Sequence, residues 1–131
     1  MSETPILAVV PTPFPADEAT QVSSVTFSSS GLSVAVSSPQ WAAKVEFAQT
    51  YGFRVLDELD LAEFWSQCSL RNGWFFEVEA KGWKDLELTR AAFQSGRQNW
   101  VREYLVVGFN ECVSVLTKED PVVVADSCRA G

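Results

Sequence analysis

The chain has 131 residues, 10 Lys+Arg against 17 Asp+Glu, and a formal charge of -7. With 47% hydrophobic and 21% charged residues, it is too apolar for intrinsic disorder and long enough to bury a self-sufficient core. It has no histidine, which excludes His-based triads, Cys–His dyads and the usual zinc and haem ligand sets, and its acidic excess opposes generic nucleic-acid binding.

Residues 1–20 carry Pro5, Pro11, Pro13 and Pro15. Proline favours extended polyproline geometry and cannot donate to a β ladder, so a flexible arm is expected here. The short apolar run Ile6 to Val10 follows no basic region, and no later run approaches the ~20 apolar residues of a membrane span. No membrane association and a cytoplasmic location are therefore expected.

The main domain is expected over 21–126. Val22 to Ser28 and Leu32 to Ser37 read as a hairpin turned by Ser28-Ser29-Ser30-Gly31, and Leu32, Val34 and Val36 alternate with Ser33, Ala35 and Ser37. Trp41 to Tyr51 reads as a third strand, broken by Gly52 and resumed at Phe53 to Leu56. Asp60 and Glu63 have capping-box spacing, and Leu61, Phe64, Trp65 and Cys68 form one apolar stripe, so a helix is expected up to Asn72-Gly73.

Trp74 to Ala80 reads as a strand, with Trp74, Phe76 and Val78 on one face and Phe75, Glu77 and Glu79 on the other. Lys81-Gly82 supplies a turn. Trp83 to Thr89 is read as strand or loop, with a helical turn near Phe93; a helix through Leu88, Ala91 and Ala92 is the alternative. Val101 to Val107 and Cys112 to Leu116 form a last hairpin around Gly108-Phe109-Asn110-Glu111. Val122 to Val124 adds a final extended piece before a flexible tail, 127–131. Tight turns between strand pairs imply antiparallel pairing. The expected class is α+β: a mainly antiparallel sheet packed by one or two short helices.

Cys68, Cys112 and Cys128 are odd in number and form no C-x-x-C pair, which fits free thiols in a reducing compartment. No P-loop, dinucleotide fingerprint or serine-nucleophile motif occurs. No cofactor or metal is expected.

Charge is distributed unevenly. From Glu46 to Glu79 seven carboxylates face two arginines, whereas from Lys81 to Arg102 five basic residues face Asp85 and Glu87. This asymmetry implies two electrostatically distinct surfaces, or salt bridging between the two regions. The candidate partner-binding residues are Asp57, Glu58, Glu77 and Glu79 for steering, with Phe75 and Trp83 as apolar anchors, because tryptophan is enriched at interface hot spots. In size, acidity and lack of catalytic groups the chain resembles small bacterial immunity proteins, which neutralise a cognate toxin; this class-level likeness assigns no individual residue. It implies a non-enzymatic inhibitor that masks a basic site on a protein partner. The alternatives are a small-molecule-binding or carboxylate-based enzyme domain with an enclosed pocket, and an assembly subunit that uses the proline-rich arm, with homo-oligomerisation possible.

Overall fold

Strand-forming residues with period-2 alternation dominate the chain, and they build two antiparallel sheets. The computed structural model describes residues 6–57, 70, 73–87, 89, 92 and 101–126. Its elements are β1 (Ile6–Val9), β2 (Gln21–Ser28), β3 (Gly31–Ser38), β4 (Trp41–Phe47), β5 (Thr50–Asp57), β6 (Phe75–Ala80), α1 (Trp83–Glu87), β7 (Arg102–Val107), β8 (Glu111–Thr117) and β9 (Val122–Ala125). One sheet has the order β1-β6-β7-β8-β5 and the other β2-β3-β4-β9. The antiparallel architecture is as expected; the helical share comes only from α1 among the described residues, and the helix expected over Asp60 to Asn72 lies outside them apart from Leu70. None of the described helices is long and apolar enough to cross a membrane.

The two sheets face each other as a sandwich. Leu32, Val34, Val36, Val45 and Phe47 of the four-stranded sheet pack on Phe75, Tyr104, Val106, Val113 and Val115 of the five-stranded one. An aromatic series fills this interior: Phe47 lies 6.1 Å from Tyr104, Tyr104 5.5 Å from Phe75, Phe75 5.7 Å from Trp74, and Trp74 5.4 Å from Trp41. Burial of such rings dominates core energetics, and each tilted or stacked pair adds about 0.5–1.5 kcal/mol. The opposite face of the five-stranded sheet carries a second cluster, Phe76, Val78, Leu105, Val107 and Cys112, against which Leu7, Leu56 and Leu70 pack.

The structure places three local segments that the sequence left open or misread. The first is the arm. Residues 6–9 form an edge strand antiparallel to β6, and the proline run that follows is tied down: the indole N–H of Trp74 donates to the Phe14 carbonyl (2.7 Å), and that of Trp41 to the Pro15 carbonyl (2.8 Å). Prolines beyond an edge strand need no ladder donors, and their carbonyls remain acceptors.

The second concerns the third strand. It ends at Phe47, not at Tyr51, and the chain passes from one sheet to the other through Ala48-Gln49. Gly52 lies inside β5 beside a register shift. The third concerns Trp83 to Thr89, read as strand or loop, where one helical turn stands at Trp83–Glu87.

Candidate functional site

The six residues singled out in the sequence do not converge. Glu77 and Glu79 share one face of β6, as expected from alternation. Asp57 is exposed at the end of β5, the far edge of the same sheet, with β7 and β8 in between; at about 4.8 Å per strand this separates it from β6 by roughly 14 Å. Glu58 lies outside the described residues. Phe75 shares the face of Glu77, but that part of the face is covered by the second sheet, leaving Phe75 1% exposed. It belongs to the core and is not available as a surface anchor in this conformation. Trp83 is half-buried on the opposite side of the five-stranded sheet, where it opens α1.

Around Glu77 the structure assembles residues the sequence did not link. β6 and β7 pair so that Glu77 stands opposite Tyr104. Two positions earlier on β7, Arg102 points the same way and grips both Glu77 oxygens: Nε donates to Oε2 at 3.0 Å and Nη2 to Oε1 at 3.1 Å. Arg102 Nη1 donates to Asp120 Oδ1. The Arg102 guanidinium also lies 5.3 Å from the centroid of the Tyr104 ring. The bidentate Glu77 bond is the main reason the Arg102 pKa rises, opposed by desolvation. Burial, reinforced by the Glu77 charge, pushes the Tyr104 phenol up to about 12.

These groups line a shallow depression of about 330 Å³ whose remaining wall is Ala8 to Pro11 and Pro121. It offers an aliphatic wall beside carboxylates. Asp120 is 83% exposed, and Glu79 is exposed two residues along β6 from Glu77. The bridge between Glu77 and Arg102 joins the acidic and the basic halves of the sequence, so part of the charge asymmetry is consumed internally. Alternation could have placed Arg102 and Tyr104 on one face of β7; nothing in the sequence marks Asp120.

A second polar group lies on the other face of the five-stranded sheet. Glu103 is 2% exposed, yet it accepts the backbone N–H of Trp83 at 3.0 Å and of Lys84 at 2.8 Å. Burial pushes its pKa up; the two amide bonds and the Arg54 charge pull it back, and Asp85 opposes them. The Arg54 guanidinium lies 5.0 Å from the Trp83 ring centroid, and the Trp83 indole N–H donates to Glu87 at 3.0 Å. Ser114, 1% exposed, has no hydrogen-bond partner for its hydroxyl among the described residues. Trp83 is thus engaged on ring, amide and indole nitrogen, an arrangement that positions α1.

Among the described residues no group of His, Cys, Asp and Glu is placed to hold a metal ion. No protein-family model, no curated protein and no solved structure matches the chain.

Proposed function

We propose that the chain is a non-enzymatic protein-binding domain, of the immunity-type inhibitor kind, that covers a basic surface on its partner with the acidic rim around Glu77, Glu79 and Asp120. The observation that carries this reading is the depression itself. A lysine or arginine has an aliphatic stem and a cationic head, and the Val9-Val10-Pro11 wall beside exposed carboxylates complements both parts. Arg102 already holds both Glu77 oxygens and Asp120 Oδ1, which leaves Glu79 and the outward side of the exposed Asp120 carboxylate to meet an incoming cation. Carboxylates at a rim steer encounter and set its salt dependence.

The filled sandwich favours this reading over a ligand-binding domain, because the aromatic series occupies the space between the sheets. The pairing of residues 6–9 with β6 and the indole bonds to the Phe14 and Pro15 carbonyls support a docked segment over an assembly role through a free arm.

Amide chemical-shift titration with a tetra-arginine peptide tests the proposal. Shifts should cluster at Glu77 to Glu79, Arg102 and Asp120, weaken as salt shortens the Debye length below about 10 Å, and vanish in Glu79→Gln/Asp120→Asn. No response, or one unchanged in that variant, overturns it.

A further inference from the structure

Among the described residues the sandwich has four edge strands, β1 and β5 on one sheet and β2 and β9 on the other. Unpaired edges template association with other chains, and folded proteins blunt them by shortness, proline, charge or a covering group. β1 and β9 have four residues each, with Pro11 two residues after β1 and Pro121 immediately before β9. β5 carries Arg54 and Asp57. β2 has eight residues, no charge and no proline.

Among the described residues only one end of β2 is protected. The Asn110 side chain acts as a short substitute strand at Val22: its Oδ1 accepts the Val22 N–H at 3.2 Å, and its Nδ2 donates to the Val22 carbonyl at 3.1 Å. The register shift between Val22 and Ser24 then interrupts the ladder. From Ser24 to Ser28 pairing with β3 is regular, and among the described residues no group covers the outer side of the strand. Phe27 is 59% exposed there, its ring 5.5 Å from that of Phe53 on the neighbouring edge strand β5.

We infer that residues 24–28 of β2 are a strand-addition edge for a second copy of this chain, paired antiparallel about Thr26. Two arguments select a second copy. An antiparallel two-fold centred on Thr26 sets Thr26 against Thr26, Val25 against Phe27 and Ser24 against Ser28. Every opposed pair then lies on one face, hydroxyl against hydroxyl outside and apolar against apolar inside, which are favourable cross-strand pairs. Self-complementarity of this kind is what a two-fold interface requires. The segment is also neutral on a chain of charge -7, so two copies oppose no like charges across the ladder.

The result is a continuous eight-stranded sheet, four strands from each copy. Five paired residues span roughly 17 Å, so association should be weak and concentration-dependent.

The test is register-specific cross-linking with diamide, in a background with Cys68 and Cys128 replaced by serine. Directly opposed residues on antiparallel strands have Cα atoms about 4.5–5.5 Å apart, within disulfide reach. Thr26→Cys should form covalent dimer at least tenfold faster than Ser30→Cys, which sits in the adjacent exposed turn; Ser24→Cys/Ser28→Cys should also cross-link, and Ser24→Cys alone should not. Sedimentation of the unmodified chain should show dimer growing with concentration, and Thr26→Lys, facing solvent on β2, should abolish it while leaving the thermal melt of the monomer unchanged. Equal rates for Thr26→Cys and Ser30→Cys, or a chain monomeric up to millimolar concentration, overturn the inference.

Discussion

Glu103 caps the helix that Trp83 opens: one carboxylate satisfies the amides of both Trp83 and Lys84, from a strand about twenty residues further along the chain. Removing it with Glu103→Ala strands two N–H groups and should cost about 2 kcal/mol or more. The pH dependence is more telling. Burial raises the folded pKa above the ordinary 4.5, so the folded state holds the proton more tightly than the unfolded chain. The contribution of Glu103 to stability is therefore greatest below the unfolded pKa and declines as pH rises through the folded value. Glu103→Gln does not titrate. The stability difference between the two proteins should shift in favour of the glutamine variant from about pH 4 to pH 8; urea unfolding with a constant difference across that range contradicts the assignment.

Gly82 makes this cap possible. A Cβ there would lie 2.5 Å from Val78 Cγ1 and 2.9 Å from both Glu103 oxygens. Gly82→Ala should lower stability by about 1–3 kcal/mol through overpacking. Its loss should be smaller in a Glu103→Ala background, because the two changes share a partner; strict additivity in a double-mutant cycle would refute the contact.

Ser114 offers the opposite case. Its buried hydroxyl has no hydrogen-bond partner among the described residues. Ser114→Ala removes a desolvated polar group at little loss of volume and should raise stability by about 1 kcal/mol. A fall in the denaturation midpoint would mean that the hydroxyl is satisfied in solution.

The N-terminal segment depends on two indole donors. Trp74→Phe removes the bond to the Phe14 carbonyl and part of the ring packing, and should cost about 1–3 kcal/mol. Limited proteolysis should then cut between residues 10 and 16 before the rest of the domain. Equal protection of that segment in wild type and variant would mean the bond does not hold it.

Glu77 and Glu79 differ in kind although two residues apart. Reversing Glu77 breaks the Arg102 clamp, so Glu77→Lys should reduce stability by about 1 kcal/mol, in the range of well-formed but partly exposed ion pairs. Glu79→Lys should leave thermal unfolding unchanged. Comparable destabilisation by both would contradict the geometry.

The strands were legible wherever one face is buried and the other wet, as at Leu32, Val34 and Val36 against Ser33 and Ser37. The last hairpin was legible from Gly108 and Asn110. What local reading missed depends on distant groups. α1 takes its main cap from Glu103 on β7; the local signal, Asp85 in the first turn accepting the Lys81 N–H at 2.7 Å, is a single residue and did not mark the helix by itself. The proline segment looked unable to order itself, yet Trp41 and Trp74 supply its donors from other strands. The face of Phe75 was assigned correctly, but alternation cannot say that a second sheet covers it. The Glu77–Arg102 clamp needed the register of β6 on β7, which a pairing across more than twenty intervening residues does not reveal.

The central claim is that the rim of Glu79 and Asp120 engages a basic protein partner. Affinity capture from native-source lysate, at low and high salt, tests it most directly when wild type is compared with Glu79→Lys/Asp120→Lys. The account predicts one stoichiometric partner on the wild type, weakened by salt and absent from the variant. Recovery of the bait alone, or of the same partner in equal amount on both proteins, would contradict it.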